Sequence, residues 1–343
     1  MITKRNRIAL SAGLTLVAAT ALTACSSGSG GSTGAGTGTG TESGSTDGTT
    51  TVRMATLPWI GYGPWYVAEE QGIFEENGLD VEQTNFNTDA DLNAAFVSGN
   101  VDVANVATHT ALLMQQAGVP VKIVMIEDIS TTADAIVVPS GVGSVEDLAG
   151  KRIAYEQGTT SDLLLNYALD SAGLSIDDVT PVPMAASDAG AALIGGQVDL
   201  AVTYEPYIST ALEQGDDLEL LFTAGELPGL VSDVLVVSDA YLESNPDTIE
   251  ALVESWGAAI EYYDSDTEAA RAIIAEAVGE DPEALTTAFE GVEYYTREEN
   301  ATELGGAFSE ETIPLVLEAA ESAGIITGDV SLEGLVDTSF VEG

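Results

Sequence analysis

The fold is decided by the stretch VRMATLPWIGYGPWYVAEEQGIF, residues 52–74. Its first six residues are typical of a buried β-strand, and Pro58 ends that strand. The glycines that follow let the chain turn sharply, and Pro64 suits the first turn of a helix. Because ligands of open α/β sheets bind beyond the carboxyl ends of the strands, we expect a binding site at this turn.

Four aromatic side chains lie close together in this turn: Trp59, Tyr62, Trp65 and Tyr66. Such rings can stack on a small ligand, and they can equally well cover the sheet as part of the core. The sequence leaves both interpretations open for each ring.

The composition excludes some classes of partner. The chain has 343 residues, which is enough for two domains, and its 56 acidic residues against 9 Lys and Arg give a net charge of −47. Such a surface repels phosphate backbones and anionic lipid headgroups, so nucleic-acid binding is not expected. We interpret the charge as a solvated acidic surface suited to a salty medium, where the Debye length is short, rather than as a functional acidic patch.

The N-terminus has the pattern of a targeting segment. Lys4, Arg5 and Arg7 precede an apolar stretch that ends at Ala24, and Leu22-Thr23-Ala24-Cys25 resembles a bacterial lipobox. We predict a lipoprotein signal peptide over 1–24, a lipidated Cys25 and a flexible Gly/Ser/Thr-rich tether over 25–51. An uncleaved anchor with an incidental cysteine is the alternative. Since Cys25 is the sole cysteine, the folded part has no disulfide, no cysteine zinc site and no cysteine nucleophile.

Strand-like and helix-like segments alternate after residue 52, which predicts parallel βαβ units in a two-domain α/β protein. The apolar strand 135–138 is followed by Pro139-Ser140-Gly141, where we place a crossing between domains, and a strand over 231–238 leads back. The predicted first lobe is therefore 52–138 plus 236–343, and the second lobe is 139–235.

An internal repeat supports two similar lobes. Residues 91–118 align without a gap on residues 188–215, and the matches include Gly99 with Gly196, Val101 with Val198 and Asp102 with Asp199. Each lobe is thus expected to offer a strand end to a common cleft.

Several motifs together resemble those of a known family. The lipobox, the turn over 59–64, the segment Leu148–Ala154 and the segment Asp199–Pro206 are similar to those of substrate-binding lipoproteins of ABC importers in the nitrate, sulfonate and taurine group. The resemblance covers nearly all of the chain beyond the tether. It implies the type II periplasmic-binding fold, in which two doubly wound α/β lobes are joined by a two-strand hinge that closes on a ligand.

The resemblance also implies a function and partners. It predicts an extracytoplasmic solute-binding component that is held at the outer face of the bacterial membrane by lipid on Cys25 and that acts as a monomer. Permease and ATPase subunits would be separate chains, since no phosphate-binding Gly-x-x-x-x-Gly-Lys occurs here. The ligand contacts that it implies come from three loops and one strand end: Trp59, Tyr62, Trp65, Thr108, His109, Gly158, Thr159, Thr160, Ser161 and Glu205.

Two of these groups also have a physical interpretation. Backbone N–H groups at the helix start over 159–161 can hold an anionic head, although ordinary capping by Thr or Ser explains the same residues. The aromatic rings with Glu205 would suit an ammonium group. Asp128 or Asp134 could add to this charge, but we expect both to be surface or capping residues.

The predicted contact loops contain no basic residue, and this bears on the charge of the ligand. The basic residues beyond the signal peptide all lie elsewhere: Arg53, Lys122, Lys151, Arg152, Arg271 and Arg297. Our hypothesis is a small zwitterion or amine, such as a taurine-like aminosulfonate, with its ammonium near Glu205 and its head at the helix start.

Other functions remain as alternatives. A thiamine-precursor pyrimidine or nitrate is a possible ligand, and a sensory lipoprotein would use the same fold. A pyrimidine-precursor synthase of this fold group has a Cys-rich iron motif that is absent here. His109 is the only histidine and has no Ser or Cys partner at a recognisable spacing, so we predict a binding protein without catalytic residues, cofactor or metal.

Overall fold

The computed structural model describes residues 49–342. The predicted signal peptide, the lipidated Cys25 and the tether up to residue 48 lie outside the described residues. Within 49–342, none of the helices is both long and apolar enough to cross a membrane.

Eleven strands form two separate sheets in the described part of the chain. Their bounds are β1 Thr50–Thr56, β2 Leu79–Asn85, β3 Val103–Ala107, β4 Val121–Ser130, β5 Asp134–Pro139, β6 Arg152–Tyr155, β7 Thr180–Pro183, β8 Leu200–Tyr204, β9 Leu218–Thr223, β10 Ser232–Ser238 and β11 Val292–Tyr294. The first sheet has the order β11-β4-β10-β3-β1-β2, and the second has the order β7-β6-β8-β5-β9.

Helices follow most strands and cover the sheets. Their bounds are α1 Gly63–Glu70, α2 Ile73–Glu76, α3 Asp89–Val97, α4 Thr108–Gln116, α5 Thr160–Ser171, α6 Ala186–Ile194, α7 Tyr207–Gln214, α8 Asp239–Ser244, α9 Pro246–Ser265, α10 Thr267–Val278, α11 Arg297–Glu303 and α12 Ile313–Ser322.

The first strand begins earlier than predicted. Thr50 and Thr51, which we assigned to the tether, belong to β1 and pair with Leu79 and Asp80 of β2. Their composition resembles that of the tether, but threonine is β-branched and fits a strand once a partner strand lies beside it.

Parallel pairing is present in both sheets, as the alternation predicts. β1 is parallel to β2 and β3, and β6 is parallel to β7 and β8. One antiparallel strand lies next to each parallel set, because β10 pairs with β3 and β5 pairs with β8. The chain is therefore an α/β protein with two similarly wound lobes.

The predicted points of crossing between the lobes were wrong. β5 (Asp134–Pro139) belongs to the second sheet and β10 (Ser232–Ser238) to the first, so the chain crosses at 131–133 and returns at 224–231. The turn at Pro139-Ser140-Gly141 ends β5 rather than separating two lobes.

A backbone hydrogen bond joins the two crossing segments, in which Gly225 N–H donates to the Thr131 carbonyl. Thr131 N–H in turn donates to the carbonyl of Gly291, which directly precedes β11. The approach is close, since a Cβ at Gly225 would lie 2.9 Å from the Thr131 oxygen. Glycine is needed here because any side chain would force the segments apart.

The internal repeat corresponds to equivalent structures in the two lobes. Asp102 accepts hydrogen bonds from Arg53 N (2.9 Å) and Nε (3.0 Å) at the base of β1. Asp199 accepts the same two bonds from Arg152 N (2.8 Å) and Nε (3.3 Å) at β6. The repeated Asp thus joins equivalent strands in the two lobes, β3 to β1 in the first sheet and β8 to β6 in the second.

Candidate functional site

A narrow cavity with a volume of about 30 Å³ lies between the two sheets. Both lobes contribute walls, and most of the lining residues lie at strand ends. They are Leu57, Trp59, Tyr62, Asp89, Ala107, Val231 and Asp233 around the first sheet, and Asp134, Thr160 and Tyr204 around the second. This is the position at which open α/β sheets bind ligands.

Aromatic rings from the two lobes meet across the cavity. Trp59 lies edge-to-face with Tyr204, with ring centroids 5.8 Å apart and planes at 86°. Tyr204 in turn contacts the ring of Tyr207 at 5.3 Å. The turn after β1 therefore carries one wall of the site, as its sequence predicts.

Carboxylates lie directly beside these rings. Trp59 Nε1 donates to Asp128 Oδ2 (3.2 Å), and the Tyr62 hydroxyl donates to Asp233 Oδ1 (2.9 Å). Asp134 and Asp233 line the cavity although only 4% and 5% of their surface is exposed, and Asp128 is fully buried.

Burial changes the protonation of these acids. Desolvation, followed by repulsion from Glu156, raises the pKa of the half-buried Asp89 to about 7. Burial likewise raises the pKa of Asp134 to about 7 and that of Asp233 to about 8, with repulsion between the two carboxylates adding to the shift of Asp233. Burial also raises the pKa of Asp128 well above its ordinary value. The cleft thus concentrates negative charge that water does not fully stabilise.

A bulge in β4 brings two of the acids into place. Asp128 pairs with Asp233 and Ile126 pairs with Val234, so Glu127 has no partner on β10. Asn300 of α11 fills the irregularity, because its Oδ1 accepts from Ile126 N (2.7 Å) and its Nδ2 donates to the Ile126 carbonyl (2.9 Å). Bulges re-aim side chains in this way next to binding sites.

Trp65 is not in the cleft, in contrast to the contact that the resemblance implies. It is fully buried, lies 4.8 Å from the Trp256 ring and stacks on Phe74 at 6.0 Å. Its Nε1 donates to Glu127 Oε1 (2.8 Å). The structure therefore supports the interpretation of Trp65 as a core residue, because α1 turns its ring toward α9.

Thr108 and His109 lie at the edge of the cavity rather than on its lining. The Thr108 hydroxyl is 2.8 Å from the Ser232 hydroxyl, directly behind Ala107. His109 Nε2 lies 3.4 Å from the Gly158 carbonyl oxygen and so bridges the two lobes. Burial lowers the pKa of His109 to about 4, hence the ring is neutral near pH 7.

The predicted helix start at α5 is capped by its own residues. Thr159 Oγ1 accepts from Ser161 N (3.3 Å), and Gly158 N donates to Asp162 Oδ2 (2.9 Å). Of Gly158, Thr159, Thr160 and Ser161, Thr160 alone lines the cavity. The capping alternative therefore accounts for this segment.

The acidic residues at the cavity differ from the one that we expected there. Glu205 is not among the lining residues, because Ser209 N (2.9 Å) and Ser209 Oγ (3.0 Å) hold its carboxylate over the start of α7. Asp128 and Asp134, which we expected at the surface or in caps, are buried at the cleft. Both acids belong to strands, since β4 continues to Ser130 and β5 begins at Asp134.

Three lining residues with polar side chains were missed in the sequence, namely Asp89, Tyr204 and Asp233, as were the apolar Leu57, Ala107 and Val231. Asp233 precedes the apolar run Val234–Val237, and a charged residue at the start of a buried strand was an available signal. Tyr204 directly precedes Glu205 and was passed over in its favour. Over residues 49–342, no group of three His, Cys, Asp or Glu side chains is arranged to hold a metal ion.

Comparison with known proteins gives a family and a fold. A profile described as NMT1/THI5-like matches residues 59–270. The putative aliphatic sulfonates-binding protein of Escherichia coli is 29% identical over 183 residues, which are 53% of this chain and 57% of that protein. The taurine-binding periplasmic protein of Escherichia coli is 26% identical over 193 residues, 56% of this chain and 60% of that protein.

These alignments span less than two thirds of the relatives' own length, and both relatives are binding proteins rather than enzymes. Among solved structures, the alkanesulfonate-binding protein SsuA from Xanthomonas axonopodis pv. citri, bound to MOPS, superposes with a TM-score of 0.70 at 20% identity, covering 84% of this chain and 98% of that chain. That likeness confirms the predicted periplasmic-binding fold with two α/β lobes.

Proposed function

Since the chain belongs to the NMT1/THI5-like family, we propose that it is the solute-binding component of an ABC importer and works outside the cytoplasm. The observation that carries this proposal is the cavity between the lobes, which takes its walls from both sheets. A cleft of this kind can bury a small solute by moving one lobe against the other, without chemical change to the solute.

The proposal includes an anchor and partners. Lipid on Cys25 would hold the protein at the outer face of the bacterial membrane, and the tether would let the lobes reach a permease and its ATPase on separate chains. We propose a monomer, because each chain already supplies both halves of the cleft.

The proposed ligand is a small polar organic solute with an ammonium group, and a taurine-like aminosulfonate is the first candidate. The relatives named above support a sulfonate or taurine by their names. The lining residues move the proposed ammonium position from Glu205 to Asp134 and Asp233. Trp59 and Tyr204 meet nearly at right angles rather than as parallel walls, which favours such a solute over a flat pyrimidine.

A ligand panel tests this function directly. The purified protein is mixed with taurine, alkanesulfonates, nitrate, pyrimidines and amines, and its melting temperature is measured. A ligand that binds only the folded state raises the melting temperature, by an amount that grows with its concentration over the Kd. We expect at least one solute to do so and to reduce the radius of gyration in solution scattering.

Two results would contradict the function. One is a flat response to the whole panel in both measurements. The other is chemical conversion of a bound solute, detected by mass spectrometry of the recovered ligand, which would indicate an enzyme.

A further inference from the structure

We propose that the cleft selects an organic cation with N–H donors, a primary ammonium or guanidinium, held by Asp134 and Asp233 beside the rings of Trp59 and Tyr204. This inference rests on the proposed importer function, and it replaces the taurine-like zwitterion named there as first candidate with a solute of net positive charge. It assigns to the site a substrate class that differs from the anionic sulfonate group.

The first argument is the excess of hydrogen-bond acceptors at the cavity. Asp134 and Asp233 line it, and Asp128 lies behind Trp59. Asp128 Oδ1 is fully buried, yet no donor among residues 49–342 reaches it. That oxygen is closed off from the cavity, so Asp128 adds negative charge behind Trp59, whereas Asp134 and Asp233 are the acceptors that N–H groups of a ligand in the cavity can reach.

The second argument is the absence of a compensating charge. None of the residues lining the cavity in the described chain is Lys or Arg. Arg53, in the middle of β1, and Arg152, at the start of β6, are already paired with Asp102 and Asp199. Arg271 lies over the Phe289 ring, 5.0 Å from its centroid. An anionic ligand would therefore meet carboxylates alone, whereas a cation supplies the charge that the site lacks.

The third argument is the aromatic wall. A cation within about 6 Å of a Trp or Tyr ring face is attracted by the ring electrons. Trp59 and Tyr204 meet edge-to-face with centroids 5.8 Å apart, so each can contact a group in the cavity from a different side. Rings and carboxylates together form the usual environment of a bound organic cation. The carboxylates favour a cation that donates hydrogen bonds over a quaternary one, which has no N–H.

The charge state of the site predicts how affinity depends on pH. Near Asp233 lie Tyr62, Asp89, Glu127, Asp128 and Asp134. Near Asp134 lie Asp89, Asp128, Tyr204 and Glu205. With a pKa of about 7 for Asp134 and about 8 for Asp233, the empty site is partly protonated at pH 7. A cation binds the ionised form, so it releases protons and binds more tightly as the pH rises.

Calorimetry with five probes tests the proposal: agmatine, putrescine, choline, taurine and ethanesulfonate. Titrations at pH 6.0 and pH 8.5, each in two buffers of different ionisation enthalpy, report both affinity and proton exchange. We expect agmatine or putrescine to bind with proton release and to gain about tenfold in affinity per pH unit for each proton released. Choline should bind at least about tenfold more weakly, and ethanesulfonate should not bind.

Two variants and a control assign the effect to the site. Asp134→Asn and Asp233→Asn should each weaken binding of the preferred amine at least about tenfold and reduce the proton release. Asp188→Asn, at an exposed position of α6, removes the same charge and should leave both unchanged. Melting curves confirm that each variant is folded.

The outcomes separate this inference from the proposed function. If ethanesulfonate or taurine binds more tightly at pH 6.0 than at pH 8.5 and takes up protons, the inference of a cationic ligand is wrong, because protonated acids would then act as donors. The importer function would still stand. The same holds if none of the five probes binds while another solute of the wider panel does. If no solute of that panel binds, both fail.

Discussion

Trp65 stabilises the first lobe through contacts that do not involve the cleft. Its ring packs on Trp256 and Phe74, and its Nε1 provides the one hydrogen bond to Glu127 Oε1 that the described structure contains. We predict that Trp65→Phe lowers the free energy of unfolding by about 1–3 kcal/mol, because Glu127 loses its donor while buried. Urea denaturation measures this change.

The matched control for this prediction is Trp59→Phe. Trp59 lines the cavity, so this change should weaken ligand binding up to about tenfold through the weaker cation–π attraction of Phe and the loss of the Nε1 donor to Asp128, whereas Trp65→Phe should alter affinity by less than about threefold. Equal losses of affinity in the two variants would show that Trp65 also serves the ligand.

Glu205 provides a second prediction at this scale. Its carboxylate accepts two hydrogen bonds from Ser209 at the start of α7 and thus acts as a cap. We predict that Glu205→Gln costs about 0.5–2 kcal/mol of stability and leaves affinity for the ligand within about twofold. A tenfold loss of affinity in calorimetry, with stability unchanged, would contradict this and show that Glu205 contacts the ligand.

Single residues also show which features of the candidate site can be predicted from the sequence. The Pro, Gly and Trp pattern after β1 predicts an aromatic wall, and Trp59 and Tyr62 line the cavity. The sequence does not separate Trp59 from Trp65, because the direction of each ring depends on the helix that follows. In a chain with 56 acidic residues, the buried carboxylates other than Asp233 have no distinct local pattern.

At the level of elements, α11 determines the shape of β4. Asn300 makes two hydrogen bonds to the backbone of Ile126, where β4 bulges before Asp128. We predict that Asn300→Ala lowers stability by about 1–3 kcal/mol for each backbone group left buried and unpaired, and that it weakens ligand binding because Asp128 moves. Urea denaturation and calorimetry measure the two effects.

Asn166→Ala is the control for this change. Asn166 is half-buried and bonds within its own helix, to Asp162. Its removal should cost less than about 0.5 kcal/mol. If Asn300→Ala costs no more than this control, then α11 does not hold the bulge.

The elements also explain why the lobe boundaries were misplaced. Strand and helix alternation correctly predicts two similar α/β lobes, since hydrophobic periodicity is a local signal. The sheet to which a strand belongs depends on its pairing partners, and β5 pairs with β8 and β9, which follow it by more than 60 residues. No local pattern near Pro139 contains that information.

For the whole molecule, the buried acids make stability depend on pH. The folded-state pKa values of Asp134 and Asp233, about 7 and about 8, exceed the ordinary value of 3.8. The folded protein therefore binds more protons than the unfolded chain between these values, so stability is greatest at low pH and is lost as pH rises toward 8. Each group contributes up to about 1.4 kcal/mol per pH unit within its window.

We predict that the ligand-free protein is more stable toward urea at pH 5.5 than at pH 8. His109 acts in the opposite direction, because its folded pKa of about 4 lies below the ordinary 6.5 and its effect is confined to that interval. The double variant Asp134→Asn with Asp233→Asn should make stability depend less on pH over this range. A stability that rises from pH 5.5 to pH 8 would show that these acids are ionised in the empty cleft.

The close approach of the crossing segments at Gly225 has a consequence for tuning the protein. If the lobes move against each other as proposed, a methyl group there would act as a spacer beside Thr131 and would shift the balance between open and closed forms. Because the apparent Kd scales inversely with the fraction of molecules in the competent form, a single substitution outside the cavity lining would then reset the sensitivity of solute capture.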